Sequence, residues 1–253
     1  MSVPMLRKFT HEGRLRIAHQ ISDRIVEKYG NDILAAYVCG STSKKLDRPF
    51  SDLELIVVVR DGIEVPMKYY LGNGLIIQID YLQSSSFLRA AERFTDNWHM
   101  EGDQYRNRIE LFERGRWFSS LDKAVSKNEK ADPREVIRKA FLMMTESRAV
   151  LKNAVLANDK IGILSSSRVF AEDAARIIFL VNRTYVTTTS WFWKMAFEAA
   201  RKPKDFRVLI EKICGFTPGT IREVVKASEK LYGEICEFVG AKGVKIERDD
   251  LWV

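Results

Sequence analysis

The feature that most constrains the fold of this chain is a change of hydrophobic pattern near Asp132. Before this point, short apolar runs rich in β-branched residues are bounded by Gly and Asp, which is typical of strands. After it, apolar residues recur only at helical spacing. This order predicts an α/β (α+β) N-terminal domain with a mixed sheet, followed by a helical C-terminal domain. The polar stretch 126–133 is expected to join them, which gives domains of residues 1–127 and 128–253.

The first part contains one predicted helix and three predicted strands. The helical pattern covers residues 10–29, and Gly30 follows it as a helix C-cap would. The apolar runs 33–39, 53–59 and 75–82 are expected to form strands of one sheet. The helices predicted for the second part cover residues 136–156, 166–182, 191–200, 206–214 and 220–239.

Composition and charge narrow the classes of function. The 253 residues include 41 Lys and Arg against 34 Asp and Glu, and the net charge of +7 favours phosphate-bearing partners, although a basic solvated surface explains it equally well. The three cysteines, Cys39, Cys214 and Cys236, contain no CxxC pair, so we expect reduced thiols in a cytoplasmic protein. No stretch reaches the roughly 18 apolar residues of a membrane span, so no membrane partner is expected.

The chemistry-bearing residues lie where the first predicted strand ends and the second begins. Gly40-Ser41 follows the first strand, and Asp52 and Glu54 open the second. Side chains at i and i+2 of a strand point the same way, so the two carboxylates are expected side by side. Like charges at close range favour a cation between them, and Mg²⁺ prefers such oxygen ligands. Because Gly40 has no Cβ, phosphates can approach this turn, and the pattern predicts phosphoryl or nucleotidyl transfer.

Another interpretation assigns the two acids to ordinary structure. Asp52 could cap a turn, and Glu54 could be a solvent-facing residue of the strand. We favour the interpretation of the two acids as a metal site, because Glu54 is the only polar residue of an otherwise apolar strand. A buried carboxylate without a partner costs several kcal/mol, so this position calls for a metal or a base.

Residues 40–55, GSTSKKLDRPFSDLEL, carry a family resemblance. They resemble the DNA polymerase β-like nucleotidyltransferases and, within them, the aminoglycoside 4′-O-adenylyltransferases (kanamycin nucleotidyltransferases). Residues 14–32 and 183–190 are similar to the first helix and to a segment of the helical domain of those enzymes. The resemblance implies a nucleotidyltransferase domain that holds Mg²⁺ and ATP, and a homodimer whose active sites are shared between subunits. It also implies a role in antibiotic resistance.

The resemblance assigns roles in the first domain. Asp52 and Glu54 would hold the metal, while Gly40, Ser41 and Lys44 would contact the nucleotide phosphates. The wider family has a third carboxylate on a neighbouring strand. In this sequence Asp80 is the candidate for that metal ligand, on the same strand face as Gln78.

The resemblance also assigns a general base to the second domain. Glu146 matches the family residue that takes the proton from the acceptor hydroxyl. From the residues alone, a helix-surface acid that pairs with Arg148 or a neighbouring turn is the favoured interpretation of Glu146, and the resemblance reverses that preference. The family lysine one turn after the base falls on Val150, so that phosphate contact is either missing or supplied by Lys152, Arg148 or Lys44.

The acceptor is the least determined part of the prediction. Glu101 and Asp103 are candidate contacts for a small cationic acceptor, or alternatively residues of an ordinary solvated loop. An RNA or protein hydroxyl is a second possible acceptor, although nucleic acid is not favoured. A non-catalytic nucleotide-binding module is a third interpretation, which the intact acid pair Asp52 and Glu54 argues against.

Overall fold

A computed structural model describes residues 5–246, which divide into two compact units. The first unit comprises the chain up to residue 94 together with 100–131 and 186–189. The second comprises 95–99, 132–185 and the chain from residue 190 onward. The strands are β1 (Ile33–Val38), β2 (Leu53–Val59), β3 (Lys68–Gly72), β4 (Leu75–Gln83) and β5 (Ile109–Glu113). The helices are α1 (His11–Tyr29), α2 (Gly40–Ser43), α3 (Ser84–Ala91), α4 (Trp98–Arg106), α5 (Trp117–Glu129), α6 (Arg134–Leu156), α7 (Lys160–Asn182), α8 (Phe192–Glu198), α9 (Phe206–Ile213) and α10 (Ile221–Gly240).

The sheet of the first unit has the strand order β3-β4-β2-β1-β5. β2 and β4 are parallel, whereas the other neighbouring strands are antiparallel, so the sheet is mixed as predicted. β1 and β2 lie at its centre and are almost wholly buried. The three predicted strands are confirmed, and they are the three consecutive inner strands of this sheet.

The two edge strands β3 and β5 were missed. Every residue of β3 from Lys68 to Leu71 is exposed, and β5 has no buried residue. Edge strands bury little apolar surface, so they do not show the hydrophobic pattern that identifies a strand.

α1 covers one side of the sheet core. Its N-cap is Thr10, whose hydroxyl accepts from the backbone N–H of Gly13 at 3.0 Å, and Gly30 ends it at φ 55°. Ala18 and Ile25 of this helix join the buried residues of β1, β2 and β4 in one hydrophobic cluster. The predicted first helix is therefore confirmed.

The second unit is built from helices. α6 and α7 pack against each other, and α10 packs on α7 and α9. α7 begins at Lys160, six residues earlier than predicted, because the Asp159 carboxylate caps the N–H groups of Ile161 and Gly162. Within residues 5–246, no helix is both long enough and apolar enough to cross a membrane.

The expected joint between the two parts is mostly helical. α5 continues to Glu129, so the first half of the polar stretch 126–133 is its last turn, and residues 130–133 alone connect α5 to α6. The stretch is polar because one side of α5 faces solvent, although Asn128 within it is fully buried. The connection between the two helices is therefore shorter than the polar stretch 126–133 predicts.

Candidate functional site

The Gly-Ser turn lies directly against the first carboxylate. β1 ends at Val38, and Gly40 starts the short helix α2 at φ 65°, a left-handed conformation that favours glycine. A Cβ atom at Gly40 would lie 1.6 Å from Oε2 of Glu54, closer than any non-bonded contact allows. The absence of a side chain at this position therefore leaves space for the Glu54 carboxylate.

The acids meet on one face of the sheet. Asp52 immediately precedes β2, and Glu54 is its second residue. In the parallel ladder Glu54 is opposite Gln78, and Asp80 is two residues further along β4, so these three side chains share a face. The Gln78 amide donates to the Asp80 carboxylate at 2.8 Å.

Burial and like charges both act on Glu54. Desolvation by burial raises its pKa to about 7, and the neighbouring Asp52, Asp103 and Asp80 carboxylates act in the same direction. The Lys44 ammonium opposes them by favouring the ionised form. A divalent cation would favour that form more strongly, because its charge is larger.

Lys44 is held in a buried ion pair. Its ammonium donates to the Gly40 carbonyl oxygen and to the Asp103 carboxylate of α4, and both side chains are 9 % exposed. The Asn107 side-chain amide donates to the other Asp103 oxygen at 2.8 Å. The backbone carbonyl oxygen of Asn107 accepts from the Ser43 hydroxyl at 2.9 Å. Asp103 was predicted to contact the acceptor, and Lys44 was predicted to contact the nucleotide phosphates. In the structure the charge of Asp103 is compensated by that of Lys44.

The carboxylates of this site are of the type that binds Mg²⁺. Among residues 5–246, no group of three or more His, Cys, Asp or Glu side chains is placed to hold a metal. Two adjacent carboxylates suit Mg²⁺ nevertheless, since it is usually bound by one or two carboxylates together with substrate phosphates. Asp52 and Glu54 fit that pattern, and the third ligand Asp80 stays a prediction.

Two residues beside the turn were not identified from the sequence as part of the site. The Cys39 thiol is buried next to Glu54, and burial raises its pKa well above the usual range, so it is an unreactive neutral group. The Thr42 hydroxyl is buried too, and within the described part of the chain it has no hydrogen-bond partner. Their position next to Gly40 was the available signal for both.

The predicted base and the remaining acceptor contact lie on helices. Glu146 is an exposed residue of α6 in the second unit. Its expected surface partner Arg148 pairs instead with Glu229 at 2.6 Å, whereas the exposed position of Glu146 still agrees with a helix-surface acid. Glu101 is half-buried in the first turn of α4, in the first unit. The roles of both acids stay predictions.

Known proteins resemble this chain in sequence and in fold. No family model matches the chain. It is 26 % identical over 113 residues to two curated proteins named aminoglycoside nucleotidyltransferase (4′), from Staphylococcus aureus and from a Bacillus species. The match spans 44 % of this chain and 44 % of each relative, less than half of their length.

The solved structures support the same fold. A nucleotidyltransferase-like protein from Exiguobacterium sibiricum superposes with a TM-score of 0.55 at 18 % identity, over 92 % of this chain and 81 % of that one. The chain therefore resembles aminoglycoside nucleotidyltransferases in sequence and has a nucleotidyltransferase-like fold. The predicted α/β sheet domain and helical C-terminal part are confirmed.

Proposed function

We propose that this chain transfers AMP from ATP to a hydroxyl of a small, aminoglycoside-like acceptor. The observation that carries the proposal is the contact of the Gly40 backbone with the Glu54 carboxylate, next to Asp52. It places a Gly-Ser turn directly beside two acids that favour a cation. The resemblance to aminoglycoside nucleotidyltransferases supplies the acceptor class.

In this proposal the first unit binds the nucleotide. Asp52 and Glu54 would hold Mg²⁺, which when bound neutralises phosphate charge and orients the triphosphate. The hydroxyl of Ser41 would contact the β- and γ-phosphates. Lys44 would join it by exchanging the Asp103 carboxylate for a phosphate oxygen, a partner of the same charge.

The second unit would supply the base. Glu146 would take the proton of the acceptor hydroxyl, whose oxygen then bonds to the α-phosphorus while the bond to pyrophosphate breaks. The Glu146 side chain is exposed, so an acceptor hydroxyl can reach it. We further propose, from the family resemblance, a homodimer in which Asp52 and Glu146 of one active site come from different subunits.

A labelled-phosphate assay tests the proposed function. The chain is incubated with ATP labelled at the α-phosphate, Mg²⁺, and kanamycin, tobramycin or tRNA. We expect label on an aminoglycoside, release of pyrophosphate, and a loss of about a thousandfold or more in Asp52→Asn. Glu64→Gln, which changes an exposed acid of the same unit, is the matched control and should retain activity.

The same assay separates the acceptor classes. Label on tRNA alone would mean that the acceptor is an RNA hydroxyl and not an aminoglycoside. Full activity of Asp52→Asn and Glu54→Gln, or no label on any acceptor, would contradict the proposed mechanism.

A further inference from the structure

A buried arginine binds the loop that leads into the acid pair. Arg14 of α1 has no exposed surface, and each of its five N–H donors has an acceptor. Nε donates to Ser51 O (3.0 Å), Nη1 to Phe9 O (3.2 Å) and Asp47 Oδ2 (2.9 Å), and Nη2 to Arg48 O (2.6 Å) and Pro49 O (3.0 Å).

This loop, residues 46–51, depends on donors from outside. It contains no helix or strand, so its carbonyl groups are not paired in a regular ladder. Within it, the Ser51 N–H donates to the Arg48 carbonyl oxygen at 2.9 Å, and the Ser51 hydroxyl accepts from the Arg48 N–H at 2.9 Å. Arg14 donates to three loop carbonyl oxygens, of which that of Arg48 also accepts from within the loop and that of Pro49 also accepts from the Phe9 N–H.

Burying an arginine at this position reduces the free energy of unfolding. Burying a guanidinium costs several kcal/mol even beside a carboxylate, and an apolar residue of similar volume often gives equal or greater stability. Its partner Asp47 is itself only 2 % exposed and also binds His11 at 2.8 Å. Stability alone therefore does not explain the choice of a side chain with several donors in a fixed fork.

One hydrogen bond of Arg14 is made to the residue just before the candidate metal ligand Asp52. The Ser51 carbonyl belongs to the peptide unit that carries the N–H of Asp52, and Leu53 on the other side begins β2. Asp52 is thus fixed between a guanidinium and a strand. At its other end the loop is joined to the Gly-Ser turn, because the Leu46 N–H donates to the Ser41 carbonyl oxygen at 3.0 Å.

We propose that Arg14 is a positioning residue, which holds the 46–51 loop so that the Asp52 carboxylate lies beside that of Glu54. The proposal rests on the function proposed above, since it assigns Asp52 to a metal and nucleotide site. Arg14 acts through the loop backbone and touches neither metal nor substrate.

The variant Arg14→Lys tests the proposal. Lysine keeps the positive charge for Asp47 but replaces a planar fork of five donors by three donors on one atom. Arg16→Lys, an exposed position of the same helix, is the matched control. We expect kcat to fall about a hundredfold in Arg14→Lys, as for a misplacement of about 1 Å, with the acceptor KM nearly unchanged. Arg16→Lys should behave as wild type.

Two readouts do not need turnover. Mn²⁺ binding in the presence of ATP, measured by titration calorimetry, should weaken about tenfold in Arg14→Lys and not in Arg16→Lys. Amide hydrogen exchange should accelerate at residues 46–52 while β2 stays protected. The charge-neutral double variant Arg14→Gln/Asp47→Asn leaves no unpaired buried charge, and the same changes are expected in it if Arg14→Lys does not fold.

The outcomes separate the two proposals. Wild-type kcat and Mn²⁺ affinity in a folded Arg14 variant would overturn the positioning role and leave Arg14 as a stabilising residue. A wild-type chain that labels no acceptor would contradict the proposed function. Weaker Mn²⁺ binding in the Arg14 variants would still support the positioning of Asp52 in that case.

Discussion

At the scale of single residues, Gly40 connects backbone conformation to the acid pair. Its φ of 65° disfavours a side chain, and a Cβ would lie 1.6 Å from the Glu54 carboxylate. We expect Gly40→Ala to cost about 1–2 kcal/mol of stability and, because Glu54 must move, about a hundredfold in activity. Gly62→Ala is the control, since φ is 83° there but no atom lies within 4 Å of the added Cβ. Equal activity losses in the two variants would contradict a specific contact with Glu54.

The raised pKa of Glu54 makes stability depend on pH. Burial and neighbouring acids raise this pKa from 4.5 to about 7, so between these values the folded state holds a proton that the unfolded state has released. Stability from this group is therefore lost as the pH rises from 4.5 to about 7, by at most about 3 kcal/mol.

Glu54→Gln removes this titration. The variant should be more stable than wild type at pH 8, with a difference that shrinks towards pH 4.5, as measured by urea unfolding at both pH values. Mg²⁺ with ATP should reduce the difference at pH 8 by stabilising ionised Glu54 in the wild type. A difference that does not change with pH would contradict the cause assigned to the shift.

At the scale of elements, the Lys44–Asp103 pair connects the residue that follows α2 to α4. Removing one partner of a buried pair leaves a charge uncompensated, so Lys44→Met or Asp103→Asn should each destabilise the fold by about 3 kcal/mol. The double variant should lose much less than the sum of the single losses. Urea unfolding of all four proteins gives the coupling free energy.

An exposed pair of the same unit is the control for that cycle. Lys127 and Glu92 are 3.0 Å apart with side chains 71 % and 40 % exposed, so their coupling should stay below about 1 kcal/mol. Similar coupling free energies in the two cycles would show that burial does not strengthen the contact between α2 and α4.

At the scale of the whole molecule, we propose that the active site is shared between two subunits. Mixing inactive Asp52→Asn with inactive Glu146→Gln should restore part of the activity, because one site of a mixed dimer contains both wild-type acids. Labelled transfer to kanamycin measures the recovery after subunit exchange has been demonstrated by mass. No recovery after exchange would mean that each site is built within one chain.

The central architecture could be predicted from the sequence for a physical reason. Apolar residues are buried at fixed intervals along the inner strands β1, β2 and β4 and along the helix α1. The spacing of apolar residues in the sequence therefore predicts these elements. Glu54 was identifiable for the same reason, since a carboxylate interrupts an apolar strand beside a Gly-Ser turn. Local pattern thus determined the fold class and the two acids.

The tertiary structure decided which charges meet. Lys44 and Asp103 are 59 residues apart, and Arg14 and Ser51 are 37 apart, so no local pattern pairs them. The one trace of Arg14 in the sequence is its place on the buried face of α1 with Ala18 and Ile25. The sequence determined the periodic burial of apolar side chains, whereas partners of buried charges are chosen by the approach of distant segments, which only the folded chain specifies.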